Sequence, residues 1–154
     1  MLEARKVSVW RSRYEISVDG RTVTTWDNAF WKSGGSFELD GRHYQVRGNF
    51  LGNRYAMVDV DDRIVASADR VGRKRWTVDA DGETYQFQRA SVWSHEQELH
   101  ARGGRVGSVK RTSVWRGDLT ADLPGLSLPV QIFVLGVLIT MLDQQSAAAA
   151  SAAS

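Results

Sequence analysis

The stretch from Leu126 to Thr140, LSLPVQIFVLGVLIT, is almost wholly apolar in a chain that is otherwise charged and alternating. Pro129 suits the first turn of a helix, and a helix from Pro129 to Leu142 would be apolar on nearly every side. Such a helix is either buried deep in a protein or surrounded by lipid. The choice between these two environments decides the fold.

Two features of the apolar stretch favour burial. It covers roughly 14 to 17 residues, whereas about 20 are usually needed to span a bilayer. It also lacks basic anchors, because Arg116 is the last basic residue and the near flanks are acidic (Asp118, Asp122 and Asp143). We therefore expect a buried helix at about 127–143, with a membrane anchor as the alternative.

Before residue 123 the apolar residues alternate with polar ones, which is typical of half-buried strands. The segments FELDGRHYQV (37–46) and TVDADGETYQF (77–87) are variants of one hairpin unit. The whole pattern predicts about twelve strands, the first at 6–10 and the last at 115–120. No stretch in this part of the chain has the apolar spacing of a helix.

Tight turns separate these strands at spacings of roughly 20 residues, which indicates repeated hairpins. Asp-Gly and Gly-Gly pairs supply the positive φ that two-residue hairpin turns require. The predicted turns are Asp19-Gly20, Asp40-Gly41, Asp61-Asp62, Asp81-Gly82 and Gly103-Gly104.

A meander of so many antiparallel strands hides its edges best by closing into a barrel. A barrel of about twelve strands is too wide to be filled by its own side chains, and the apolar helix would fill it. We therefore predict an all-β domain over residues 1–145, a closed antiparallel barrel around a buried C-terminal hydrophobic helix. A disordered Ala/Ser tail at 146–154 follows.

Composition narrows the function classes. The chain has 154 residues, 25% of them charged, and no cysteine, which excludes disulfides and thiolate catalysis. A formal charge of only +2 gives no reason to expect nucleic acid as a partner. The basic residues are mostly arginine, which is typical of a GC-rich bacterial genome. Because the N-terminal region has no signal-peptide core, we expect a cytoplasmic protein.

In layout the chain resembles the Tubby C-terminal-like superfamily, which includes Tubby-like proteins, LURP-one-related proteins and phospholipid scramblases. The Asp-Gly hairpins and the terminal LPGLSLPVQIFVLGVLITML (123–142) carry the resemblance, which extends over about residues 5–145. It implies a twelve-strand barrel around a central helix and a function that is lipid-related, although many bacterial LURP-one-like members have no assigned activity. The chain departs from the scramblases, since it has neither palmitoylatable cysteines nor an acidic calcium-binding segment before the helix.

The strongest local charge feature is ADRVGRKRW (68–76), which contains Arg70, Arg73, Lys74 and Arg75. Gly72 indicates a loop from which these cations project together, and arginine matches phosphate geometry in a bidentate manner. We predict these four residues as contacts for lipid headgroups. The alternative is a solvated loop whose charges pair with Asp69 or Asp79.

Two further surfaces are candidates. Four basic residues near the N-terminus would share a face with the first cluster if their strands were neighbours; they are Arg5, Lys6, Arg11 and Arg13. Three aromatic residues, Trp26, Phe30 and Trp31, form a possible interaction surface for a membrane interface, a ligand or a protein partner, if they lie in an exposed connection.

Several motifs are better explained by structure than by chemistry. In HEQELH (95–100) the histidines are five positions apart instead of the four that a zinc helix needs, although Glu96, Glu98 and His100 share one strand face. Asp59, Asp61 and Asp62 lack the EF-hand spacing. RGGRVG (102–107) lies between strands and opens no helix. We expect no metal, no cofactor and no catalytic centre.

The sequence therefore predicts a non-catalytic binding module for anionic phospholipid headgroups, cytoplasmic and peripheral to the membrane. One alternative is a protein-interaction or structural barrel without a small ligand. Another is a membrane-anchored, scramblase-like protein.

Overall fold

A computed structural model describes residues 1–8, 13–28, 34–91, 95–112 and 117–153. It contains twelve antiparallel strands that close into one barrel, followed by a single helix, as the alternating pattern predicts. The strands are β1 (Leu2–Ser8), β2 (Arg13–Val18), β3 (Arg21–Asn28), β4 (Gly34–Leu39), β5 (Arg42–Gly48), β6 (Arg54–Val58), β7 (Ile64–Asp69), β8 (Arg75–Ala80), β9 (Glu83–Arg89), β10 (Gln97–Ala101), β11 (Gly104–Arg111) and β12 (Leu119–Asp122), and the helix is α1 (Leu128–Ala153).

Each strand pairs with its sequence neighbours, and β1 pairs with β12 to close the barrel. The closing register sets Leu2 opposite Ala121 and Ala4 opposite Leu119, and all four side chains are buried. The first and last strands of the barrel therefore cover residues 2–8 and 119–122. On each of them, alternate side chains point into the barrel. The sequence-based bounds of 6–10 and 115–120 were wrong, because β1 begins four residues earlier and β12 begins four residues later.

The meander gives the barrel two different ends. At the turn end, tight turns join β2 to β3, β4 to β5, and β8 to β9. Their Asp-Gly pairs have positive φ at both residues, for example 49° at Asp19 and 84° at Gly20. Between β10 and β11 the turn is Arg102-Gly103, one residue earlier than the predicted pair, and Gly104 begins β11. At the opposite end, the loop end, longer connections include residues 49–53 and 70–74.

Helix α1 runs from the turn end through the barrel to the loop end. Its residues from Ile132 to Thr140 are all buried, so the apolar stretch fills the barrel interior as predicted. Inside, Thr140 donates its hydroxyl hydrogen bond to the Gly136 carbonyl at 2.9 Å, which satisfies the polar group within the helix itself.

The helix does not end near residue 143. It continues through the Ala/Ser segment to Ala153, with every side chain from Gln144 onward exposed. Where the sequence predicts a disordered tail the structure has helix, because alanine has the highest helix propensity and the buried helix supplies the nucleus that the tail only has to extend.

Candidate functional site: a basic depression at the loop end

The connection between β7 and β8 holds Arg70, Arg73 and Lys74, and Arg75 follows as the first residue of β8; all four are exposed. Val71 anchors this loop in the hydrophobic core, because its side chain is only 4% exposed. The Val71 amide donates to the Asn53 carbonyl, and the Arg73 amide donates to the Arg70 carbonyl, each at 3.0 Å. Arg70 and Gly72 have positive φ, 61° and 90°, which turns the chain so that its cations point outward.

The connection between β5 and β6 forms the neighbouring wall and is held by two asparagines. The Asn49 side-chain oxygen accepts hydrogen bonds from the amides of Asn53 and Arg54 at 3.0 and 3.1 Å. The Asn49 side-chain nitrogen donates to the Asn53 side-chain oxygen at 2.7 Å. These bonds lock the turn locally, as asparagine side chains commonly do.

Between the two connections lies a surface depression of about 710 Å³. The residues that line it are Asn53, Arg54, Asp69, Arg70, Arg73, Lys74 and Arg75. The structure thus brings all four sequence-predicted cations to one depression. Asn53 and Arg54 were missed, because only the pairing of β6 with β7, which sets Arg54 opposite Asp69, brings them there.

The depression has an excess of positive charge. Asp69 pairs with Arg54 at 3.1 Å and also accepts the Arg70 amide at 2.9 Å. Asp79, the other predicted neutralising residue, accepts a hydrogen bond from Thr84 instead. Within the described part of the chain, none of the four predicted cations forms an ion pair. They remain available to an anionic ligand.

The N-terminal basic residues do not join this surface. β1 neighbours β2 and β12, whereas the depression lies at β6, β7 and β8 across the barrel. Arg5 pairs with Glu15 at 3.4 Å and Arg13 with Asp27 at 2.7 Å, while Arg11 lies outside the described residues.

Trp26 is not part of a surface. It lies in β3 with no exposed area, and its ring packs against Phe37 at a centroid distance of 6.2 Å. Its placement in an exposed connection was wrong, because β3 extends to Asn28 and the alternation turns Trp26 inward. Phe30 and Trp31 lie outside the described residues.

The acidic candidates are occupied by structural contacts. Glu98 lies 3.2 Å from His100 and 3.3 Å from Arg105, and Glu96 pairs with Arg105 at 3.0 Å. The Asp59 carboxylate accepts the amides of Asp61 and Arg63 inside its own turn. Among the described residues, no group of three or more acidic or histidine side chains is placed to hold a metal ion.

A second, smaller depression of about 400 Å³ lies over β3, β4 and β5. Its lining includes Asp27, Glu38 and His43 beside the threonines of β3. Here β3 and β4 pair only at Asp27–Ser36 and Asn28–Gly35, so the seam opens toward the turn end. Its two carboxylates make it unsuited to the anionic ligand that the first depression favours.

The helix α1 is long and apolar enough to cross a membrane, and 56% of its most apolar 18-residue window is buried inside the protein. The core helix of a soluble protein has the same features, and here the apolar residues contact the barrel wall. No family model, curated protein or solved structure matches this chain.

Proposed function

We propose that this barrel is a non-catalytic module that binds anionic phospholipid headgroups at the cytoplasmic membrane surface. The observation that carries the proposal is a group of four exposed cations on one depression, none of which pairs with an acidic residue in the described part of the chain; they are Arg70, Arg73, Lys74 and Arg75. Three of them are arginines, whose planar guanidinium groups match the oxygens of a phosphate.

Electrostatics sets the strength of such a contact. Each basic residue near an anionic bilayer contributes about 1 kcal/mol, and the attraction falls off within a Debye length of roughly 8 to 10 Å. Because the depression is open and the loop is already fixed by Val71, the cations reach the surface without reorganising the backbone.

The proposal includes membership of the Tubby C-terminal-like superfamily. The layout supports it: twelve antiparallel strands are joined in sequence order and are followed by a central C-terminal helix. The burial of that helix favours a peripheral protein over the membrane-anchored alternative.

The test is co-sedimentation of the detergent-free protein with vesicles of phosphatidylcholine alone or mixed with phosphatidylglycerol. The variant combines Arg73→Ala, Lys74→Ala and Arg75→Ala. At about 1 kcal/mol per cation, and 1.4 kcal/mol per tenfold change, it should bind anionic vesicles about 100-fold more weakly. High salt should weaken the binding of the wild-type protein.

The matched control combines Arg21→Ala, Arg42→Ala and Arg63→Ala, three exposed arginines at the turn end. It removes the same charge and should change the binding little. Equal losses in both variants would mean a non-specific charge effect, and no binding by the wild-type protein would overturn the proposal. Binding of soluble inositol phosphate by the wild-type protein, without vesicle binding, would assign the depression to a free phosphate ligand instead.

A further inference from the structure

Phe50 and Leu51 form a fully exposed apolar pair at the tip of the connection between β5 and β6. Phe50 is 102% exposed and Leu51 is 76% exposed, which puts them at the top of the large apolar residues that the structure describes. Scattered surface apolar residues are ordinary, but two adjacent ones at a loop tip form a small contact surface. The pair, Phe50-Leu51, is called the apolar tip below.

The apolar tip is held rigidly at its base. The Gly52 amide donates to the Asn49 carbonyl at 3.1 Å, and the Asn49 amide donates to the Arg54 carbonyl at 3.0 Å. Gly52 has a φ of 71°, and a Cβ there would fall 2.7 Å from the Gln144 side-chain oxygen of α1. The turn thus rests against the helix where it leaves the barrel, and the two apolar side chains are presented outward.

The apolar tip and the basic depression form one continuous surface. Asn53 and Arg54, which follow the tip after Gly52, line the depression, and the Asn53 carbonyl accepts the Val71 amide of the basic loop. At the opposite end of the barrel, Arg21 and Arg42 each lie two residues after a turn aspartate, Asp19 or Asp40, so acidic and basic residues alternate there in sequence.

An apolar tip flanked by cations matches the layered chemistry of an anionic bilayer. Headgroup phosphates attract the cations, and the boundary with the acyl chains accepts exposed apolar side chains. A protein partner of ordinary composition lacks this combination of a dense anionic layer directly above hydrocarbon. Charge complementarity therefore favours a lipid surface over a second copy of the chain or another protein.

We propose that Phe50 and Leu51 insert into the bilayer while the neighbouring cations contact the headgroups. This inference rests on the proposed function and adds an orientation to it: the loop end faces the membrane and the turn end faces away. It also divides the binding into two parts, because salt screens the cation–phosphate attraction but does not weaken the burial of apolar groups.

The first experiment compares Phe50→Ser/Leu51→Ser with the control Val60→Ser/Ile64→Ser in the same vesicle assay. Val60 and Ile64 are two exposed apolar residues at the turn end, with exposures of 73% and 69%. Because all four side chains are exposed, neither variant should affect folding. The tip variant should bind anionic vesicles at least about tenfold more weakly and lose the binding that persists at high salt, whereas the control should match the wild-type protein.

The second experiment uses the absence of cysteine from the chain. A single cysteine introduced by Leu51→Cys or Val60→Cys is labelled with an environment-sensitive fluorophore, and lipids with a quencher in the acyl chain are added. The label at position 51 should shift to the blue and be quenched on anionic vesicles, and the label at position 60 should do neither.

The outcomes separate this inference from the proposed function. If the wild-type protein binds in a salt-reversible manner but the tip variant binds equally and position 51 is not quenched, insertion is overturned and headgroup binding stands. If the wild-type protein binds no anionic vesicle, both fall. If the tip variant changes only the oligomeric state, the tip is a contact between copies and the inference is overturned.

Discussion

Gly136 of the helix lies directly against the indole ring of Trp26: a Cβ built on this glycine would fall 2.3 Å from two ring carbons. On β4, a Cβ on Gly35 would fall 2.6 Å from another carbon of the same ring. The ring is thus clamped between the helix and the barrel wall. The missing side chains of two glycines set how closely the helix and the wall approach here.

Gly136→Ala should therefore destabilise the protein by about 1–3 kcal/mol through overpacking, even though alanine favours a helix by about 1 kcal/mol over glycine. Urea unfolding at equilibrium measures the change. Gly104→Ala is the matched control, because a Cβ at Gly104 meets no atom within 4 Å. Trp26→Phe in the Gly136→Ala background should recover part of the lost stability. If the two changes in the free energy of unfolding were simply additive, the packing of Gly136 against the Trp26 ring would not be the cause of the loss.

A polar network closes the barrel where the helix leaves it. The Trp26 ring nitrogen donates to the Asn28 side chain, whose nitrogen donates to the Asp143 carboxylate at 2.6 Å. Asp143→Ala should cost about 1–3 kcal/mol, because it leaves a partly buried donor unsatisfied. Gln145→Ala, at an exposed position two residues later, should change the free energy of unfolding little. Equal stability of both variants would show that this hydrogen-bond network does not contribute measurably to the free energy of unfolding.

The raised pKa of Tyr55 lowers the free energy of unfolding at alkaline pH. Burial raises the pKa of Tyr55 to about 12 from its ordinary value of 10. Above pH 10 the unfolded state loses the tyrosine proton while the folded state keeps it, so stability falls as pH rises from about 10 to about 12. Below pH 10 this contribution is fully present. Burial, followed by the carboxylates of Asp143 and Asp118, raises the pKa of Tyr14 as well, so Tyr14 acts in the same direction.

Tyr55→Phe should reduce the alkaline loss and leave stability at pH 7 unchanged or higher by up to about 1 kcal/mol. The Tyr55 hydroxyl is buried with no hydrogen-bond partner in the described part of the chain, so its removal relieves a desolvation cost. Thermal unfolding at pH 7 and pH 11 provides the comparison. A loss of stability at pH 7 would show that the hydroxyl has a partner.

The burial of the helix has a direct chemical test. A cysteine introduced by Leu135→Cys should react with a water-soluble thiol reagent at least about a hundredfold more slowly than one introduced by Ser146→Cys, because the barrel must open locally to expose position 135. Leu135 has no exposed area, and Ser146 lies on the exposed extension of the helix. The protection should persist when anionic vesicles are added. Equal rates, or a rate at position 135 that rises with lipid, would mean that the helix leaves the barrel.

Local chemistry explains why much of the fold was predictable. Alternation with a period of two and Asp-Gly pairs such as Asp40-Gly41 act over a few residues, so each hairpin is visible in the sequence alone. The closing pair of β1 and β12 is different. It joins Leu2 to Ala121 over more than a hundred residues, and no local pattern marks that register.

The candidate site divides in the same way. The cluster Arg73, Lys74 and Arg75 is contiguous and was found by composition, whereas Arg54 reaches the depression through the pairing of β6 with β7. Trp26, which was expected at a surface, is fully buried, whereas Phe50, which no sequence pattern singled out, is fully exposed. Both side chains are apolar, and only the tertiary fold decides which of the two is buried.

The sequence by itself determined the class of fold, because hairpin periodicity and an uncharged apolar helix leave few ways to bury apolar surface in one domain. Tertiary structure alone decided which charges remain unpaired. Asp69 is adjacent to Arg70 in sequence, yet its carboxylate pairs with Arg54 on the neighbouring strand. Because an ion pair forms between side chains that are close in space, strand register decides that the cations at 70–75 form no ion pair with the residues that the structure describes.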